Sequence, residues 1–503
     1  MTSEGRQPGG LVLTAAEDLG PAEIRSVAHG REIRLAEPLA ARVAAVRAAV
    51  LVALDLPSPV YGVTTGMGDQ SRLELDAAAR LRHQETLMLG RAVGSPPWLT
   101  RLQARAALAA RLRTFLNGDA AVSAGLCQQL AALLNTDVVP AIPSTGLGAA
   151  GEIIALAHLG ALITGSGSAL GPDGVTARPA LEALAAAGLS PLPLARKEGV
   201  ALLEGVPTTS ALAVLASERA RQLADRAAVV AGTGIAVIGA HRDPYSALLA
   251  RGDAELAAAL ERIRAVAGSD PAPRALQAPL SFRVLGQALA HLDRCTTALD
   301  AAVARALGGV TDSPAFLGGA FVGSAGFDGF DLAATLDALT VAACHLAETA
   351  AARLHRLLDD RVTGLPRQLT HSPGLHAGLV AVHKRAVGVV HRMRRESVPS
   401  CLGSVETSLG QEDVQSFSME SARTVGSALD GLAEMVACEL LAIHQAVLLG
   451  GRPSCLGTDA LRLLDAAAAL LPAGTSDRPF GRDIDALLGL TVPPVKRFTE
   501  SDQ

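Results

Sequence analysis

Large aromatic rings are nearly absent, with one Trp, two Tyr and nine Phe among 503 residues. A core without rings must be filled by Ala, Leu and Val packed at short range. A chain that is 49% apolar and rich in Ala and Leu favours helices over sheets. Cysteine is just as sparse. The six residues, Cys127, Cys295, Cys344, Cys401, Cys438 and Cys455, lie far apart, form no CxxC pair and have no His at zinc-ligand spacing. That argues against a disulfide framework or a structural zinc. No metal and no separate cofactor is expected, and a reducing cytoplasm fits best. Long basic runs are missing too: 44 Lys and Arg stand against 49 Asp and Glu, a formal charge of −5, so neither nucleic acid nor an anionic membrane is an expected partner. Between Ile153 and Pro172 there is no acidic residue, Lys or Arg, yet His158 and the Gly- and Ser-rich second half suit a buried helix better than a membrane span. The opening MTSEGRQPGG lacks the apolar core of a signal peptide.

What is present is helical periodicity. Leu39 to Leu54 is an Ala-rich helical run ending before Pro57, and Asp76 to Phe115 reads as two helices broken around Gly94-Ser95-Pro96-Pro97. The clearest pattern is 419 to 449, where Val425, Leu429, Leu432, Val436, Leu440, Ile443 and Val447 recur at spacings of three and four. At about 1.5 Å per residue this stripe runs roughly 45 Å, which is bundle geometry. The expected organisation is a flexible start over 1–10, a smaller loop-rich helical domain over 11–205, a long-helix bundle over 206–480 with interruptions around 308–331 and 397–418, and a C-terminal tail over 481–503.

Gly146-Leu147-Gly148-Ala149-Ala150-Gly151 spells GxGxxG. A dinucleotide site needs a strand before the first Gly and an acidic residue about 20 positions on. Here Pro140 and Pro143 spoil the strand, and no Asp or Glu falls between Glu152 and Asp173. A nucleotide cradle is thereby set aside.

The wider stretch PSTGLGAAGEIIALAHLG resembles the signature of the histidine and phenylalanine ammonia-lyase family, typically PxxGSVGASGDLAPLAHL. Four further motifs follow the same order. Val60 to Gly68 (VYGVTTGMG) is similar to VYGINTGFG, Lys197 to Gly205 (KEGVALLEG) to KEGLALLNG, Gln277 to Arg283 (QAPLSFR) to QDPYSLR, and Gln411-Glu412-Asp413 to the QED of QEDHVSM. The resemblance implies an all-α, elongated multi-helix bundle of the ammonia-lyase and fumarase-like type. It also implies a homotetramer with active sites shared between chains, acting on a small molecule. It places Tyr61 as base or acid, Arg283 as carboxylate clamp and Glu412 as a site carboxylate, with Thr65, Gly66, Gln277 and Gln411 in the substrate-binding motifs.

The resemblance also implies a prosthetic group. In the family an Ala-Ser-Gly triplet cyclises and loses water to a methylidene-imidazolone, the electrophile that activates an amino acid for loss of ammonia. The matching triplet here is Ala149-Ala150-Gly151, and alanine has no hydroxyl to eliminate, so the group is not expected to form. Ser144-Thr145-Gly146 contains hydroxyls but precedes the family's loop position and has Thr in the middle. Other positions have drifted together: Thr86, Gly90 and Arg91 replace an Asn, a Ser and a His of the QxNLxxSHAxG pattern, Glu204 replaces an Asn, Leu280 a Tyr and Asp328 a His. Such coordinated change points to a natural divergent member. Glu204 could repel a substrate carboxylate, hold a cation, act as a base, or pair structurally with Arg91. The candidate site is therefore Tyr61, Glu412 and Glu204 as proton-transfer groups, with Arg283, Arg91, Gln277, Gln411, Leu280, Asp328, Thr65 and Gly66 around the substrate. His158 reads as a core histidine. Two functions are compatible with these residues: an enzyme doing base-catalysed elimination, addition or cyclisation on an activated small carboxylate or amino-acid-derived substrate, or a non-catalytic binding or regulatory subunit.

Overall fold

The computed structural model describes residues 10–269 and 273–491, apart from the side chain of Leu81. Residues 1–9 of the expected flexible start lie outside the described residues. The chain is all-α in character. The described strands form three two-stranded pairs, Leu11–Leu13 with Ile33–Leu35 in parallel, and Ser168–Leu170 with Ala177–Pro179 and Ala315–Leu317 with Ala320–Val322 antiparallel.

Four long helices make the body: Pro207–Val237, Leu285–Gly308, Phe330–Leu357 and Ser418–Gly450. They pack on one another along most of their length, as their three-and-four apolar spacing requires. Between the last two, Arg353 and Glu439 form a fully buried bidentate pair, Nε to Oε1 at 2.6 Å and Nη2 to Oε2 at 2.9 Å. By length and composition the Glu198–Val237 run, Phe330–Leu357 and Ser418–Gly450 could each cross a membrane, but most of each apolar window is buried inside the molecule.

The two helices anticipated on either side of Gly94 to Pro97 are Ala77–Arg91 and Arg101–Leu116. Each begins with a side-chain cap. The Asp76 carboxylate accepts the Ala79 N–H at 2.7 Å, and Thr100 forms a reciprocal box with Gln103. Arg101–Leu116 is buried on every face from Ala104 onward and packs against Pro207–Val237, so one hydrophobic core continues across the bend at Glu204 to Val206.

The C-terminal segment is more ordered than a tail. Phe480–Thr491 is a helix packed on Ser418–Gly450 through the buried Ile484 and Leu487. Its three-residue apolar spacing was hidden by the polar, Pro-containing residues that follow, of which 492–503 lie outside the described residues.

Candidate active site

The Ala149-Ala150-Gly151 loop is held from both ends. Upstream, Ser144 bonds the Pro97 carbonyl through both its backbone N–H and its hydroxyl, each at 2.9 Å. Downstream, the buried Glu152 carboxylate accepts the N–H groups of Thr208 and Thr209 at 2.7 and 2.5 Å. Those are first-turn donors of the helix opened by Pro207, groups that helix geometry leaves without intrahelical partners. Glu152 thus caps the Pro207–Val237 helix from a distance and pins the loop to it. Burial raises the Glu152 carboxyl, and its Thr208 and Thr209 hydrogen bonds pull it back down. Gly151 adopts φ +72°, and a Cβ there would lie 2.9 Å from the Phe327 carbonyl oxygen, so only glycine fits.

Beside this loop is a cavity of about 690 Å³. Its wall brings together Tyr61, Arg91, Ala149, Ala150, Glu204, Gln411 and Glu412, which the sequence scatters over some 350 positions. Glu412 is the most connected. One of its oxygens accepts the Ala150 N–H at 3.2 Å and the Thr407 hydroxyl at 2.8 Å, and the other accepts the Ser408 hydroxyl at 3.1 Å. The Tyr61 phenol oxygen accepts the Gly68 N–H at 2.8 Å. Burial raises the phenol above its ordinary range, with Glu204 and Glu412 adding to the rise while Gly68 and Arg91 oppose it.

Glu204 sits at the end of the short Glu198–Leu203 helix, where Gly205 at φ +92° turns the chain under Thr311. Its side chain is buried, and its carbonyl accepts a bond from the buried Arg111. Below it lies a charged floor in which Lys197 pairs with Asp312, both buried. Burial first, then repulsion from Asp312, push the Glu204 carboxyl up to about 8, against the pull of Lys197 and Arg111. It is therefore mostly neutral at pH 7. Burial lowers Arg91, which feels Tyr61, Glu412 and Glu204 electrostatically but makes no ion pair with any carboxylate among the described residues. The structural Arg91–Glu204 pairing considered from sequence is absent.

The remaining candidates lie elsewhere. Gln277, Leu280 and Arg283 line a second cavity of about 430 Å³ that shares no lining residue with the first, and the Arg283 Nε donates to the Ala278 carbonyl at 3.0 Å. Within one chain the clamp expected at Arg283 is thus separate from Tyr61: the 277–283 segment is held by Arg353 of the Phe330–Leu357 helix, which donates to the Ser281 carbonyl, and by the Tyr245 hydroxyl, which donates to the Phe282 carbonyl. Asp328 does not line the site either. It accepts the Phe330 N–H at 3.1 Å in the turn just before the Phe330–Leu357 helix. Thr65 and Gly66 are support for the Tyr61 loop: the Thr65 hydroxyl accepts the Gly62 N–H, and a Cβ on Gly66 would strike the Gln70 carbonyl at 2.6 Å. His158 is a core residue whose Nε2 accepts the Gly94 N–H at 3.0 Å.

Some positioning residues escape a reading by motif. The fully buried Gln84 amide accepts from Gly199 at 3.0 Å and donates to the Gly62 carbonyl at 3.1 Å, tying the Tyr61 loop to the helix that presents Glu204. Lys197, Asp312, Arg111 and Glu152 are similar. Polar residues inside otherwise apolar runs were the signal available for them. Among the described residues no three His, Cys, Asp or Glu side chains gather as a metal site.

The aromatic amino acid lyase family model matches residues 19–469. The chain belongs to the aromatic amino acid lyase family. Histidine ammonia-lyase of Streptomyces coelicolor is 34% identical over 451 residues, covering 87% of this chain and 88% of that protein. The structure of tyrosine aminomutase from Streptomyces globisporus superposes with a TM-score of 0.89 at 27% identity, covering 96% of this chain and 97% of the other. Histidine ammonia-lyase from Trypanosoma cruzi gives 0.86 at 25% identity, covering 94% and 91%. The lyase family's helical fold is thus shared over almost the whole chain.

Proposed function

We propose that this chain is a lyase-family enzyme that works without a methylidene-imidazolone, catalysing base-assisted elimination, addition or cyclisation on a small carboxylate that already carries its own activating group. The observation that carries this reading is Ala150: a buried methyl group in the cavity wall at the position where the family's group needs a hydroxyl. The residues present do not fit that group. Ser144 is bound to Pro97, and Thr145 is exposed and does not line the cavity.

What the cavity offers instead is two carboxyl groups in contrasting environments, an arrangement that separates acid from base. Neutral Glu204 is suited to give a proton, and Glu412, which accepts three hydrogen bonds, to act as a carboxylate. In an elimination the base takes a proton from carbon, and the neighbouring C–N or C–O bond breaks with its electron pair. A proton from the acid then neutralises the leaving group. Addition or ring closure runs the same exchange in reverse. Tyr61, its phenol raised by burial, lines the same cavity and would serve as a relay. The substrate must supply the acidity that an electrophile otherwise would, so ordinary amino acids are poor candidates.

This reading includes a homotetramer in which a neighbouring chain approaches the cavity, and a cytoplasmic location suited to six free thiols. The test is a turnover screen of amino acids, α,β-unsaturated acids and acids with an acidified α-carbon, using wild type and Tyr61→Phe. Turnover of an activated acid, reduced at least tenfold in Tyr61→Phe, is expected. Turnover indifferent to that change removes Tyr61 from the mechanism, and tight binding without turnover favours a non-catalytic subunit.

A further inference from the structure

The arginines buried in the protein are accounted for by protein partners. Arg47 donates to the carbonyls of Ala121 and Arg196, Arg105 to those of Val27 and Ala28, Arg111 to those of Ala201 and Glu204, and Arg353 to Glu439. Arg91 is different. It ends the Ala77–Arg91 helix, is half-buried, and is the one cation among the described lining residues of the 690 Å³ cavity. No described side chain or carbonyl accepts a hydrogen bond from it.

The acids around it leave its charge available. Glu412 already accepts three hydrogen bonds, from Ala150 and Thr407 at one oxygen and Ser408 at the other. Glu204 makes no ion pair among the described residues, and burial with repulsion from Asp312 holds its carboxyl up at about 8. Asp69 is exposed. A guanidinium with unmet donors in a partly desolvated wall is a carboxylate site, since a charge-assisted, two-point hydrogen bond is the interaction its geometry favours. The one cation among the charged lining groups thus has no hydrogen-bond partner among the described residues, which favours an anion over an ammonium beside it. Met67, Ile153, Ile154, Phe321 and Phe327 give the wall an apolar stretch beside the polar Ser313, Ser324 and Gln411, room for a ring-sized hydrocarbon arm.

We propose that Arg91 clamps the substrate carboxylate within a single chain, and that the substrate is a carboxylic acid with an apolar arm and no free α-ammonium group. This rests on the reading of the cavity as the reaction site, and it assigns to Arg91 the anchoring that family resemblance places at Arg283.

The experiment is calorimetric binding of three matched probes to the full-length protein at pH 7: 3-phenylpropanoate, its neutral amide and phenylalanine, which adds only the α-ammonium. Wild type is expected to bind the acid at least tenfold more tightly than either of the others. Arg91→Gln is expected to lose about ten- to a hundredfold in acid affinity, the usual worth of a charged hydrogen bond, and to level acid with amide, with Arg91→Lys intermediate. Arg91 has no protein partner among the described residues, so both variants should keep the wild-type melting temperature, which is measured alongside. Equal binding of acid and amide, tighter binding of phenylalanine, no acid binding at millimolar concentration, or acid affinity lost in Arg283→Gln but kept in Arg91→Gln would each overturn the proposal. No probe needs to react, so these outcomes are read separately from turnover and from the state of residues 149–151.

Discussion

One carboxylate oxygen of Glu412 accepts the backbone N–H of Ala150 at 3.2 Å, across 262 positions of sequence. This bond joins the loop that would carry the family's electrophile to the loop that closes the opposite side of the cavity. The loop at the site is thus tied in place by a side chain from a distant segment.

Glu412→Ala removes that bond and those from Thr407 and Ser408. Part-buried donors left without acceptors cost about 1–3 kcal/mol each where water cannot replace them. The variant should unfold several degrees below wild type and lose at least tenfold in kcat/KM. Thermal unfolding followed by a steady-state assay checks both, and an unchanged melting temperature would mean the loop is fixed by other contacts.

Glu152→Ala should be more damaging to stability than to chemistry. It leaves the Thr208 and Thr209 N–H groups buried at a helix start with no acceptor, a loss of about 2–4 kcal/mol from the two groups together. Glu152→Gln keeps one acceptor oxygen and should recover part of this. Denaturant titration of the two variants gives the comparison, and equal stabilities would show that a single retained acceptor oxygen recovers nothing.

For Glu204 the pH dependence has a definite sign. Its carboxyl is raised from 4.5 to about 8, so between those values the unfolded chain has lost a proton that the folded chain keeps. Stability from this group is complete below pH 4.5 and declines by up to about 1.4 kcal/mol per pH unit as pH rises towards 8. Glu204→Gln cannot ionise, so it should gain stability relative to wild type across pH 5 to 8. If Glu204 is the acid, wild-type turnover should also fall above about pH 8. The groups that set this titration are Asp312, Lys197, Arg111 and Glu412, with Tyr61 and Arg91 in the same wall. A stability difference independent of pH would remove Glu204 as a titrating group.

Asp312→Asn tests the floor beneath it. Removing one partner of a buried ion pair costs about 3–5 kcal/mol, and it leaves Lys197 without an opposing charge. Asp312 is the largest repulsive influence on Glu204, so the alkaline fall in turnover should move to lower pH. A pH–rate profile decides, and an unmoved limb would separate Asp312 from Glu204.

The long helices could be read from sequence because their apolar spacing is dictated by the same core they form, as with Val425 to Val447. Tyr61, Glu204, Gln411 and Glu412 were found because each sits in a short motif whose order along the chain survives. Their convergence on one cavity with Arg91 depends on the whole packing and on no local pattern. Arg283 shows the opposite failure: a motif fixes its identity but says nothing of which chain's cavity it faces. Gln84, Lys197 and Glu152 stayed hidden because a buried polar side chain is identifiable only once the backbone groups it satisfies are known. The Phe480–Thr491 helix was hidden by averaging over a longer polar stretch.

The most direct test of the central claim is peptide-resolved mass spectrometry of the segment spanning Ala149, Ala150 and Gly151 in the purified full-length protein, with difference absorbance on the same sample. An unmodified linear peptide with no added ultraviolet band is the predicted result. A mass lowered by loss of water at these residues would contradict the account and return the chain to the electrophile-dependent chemistry of its family.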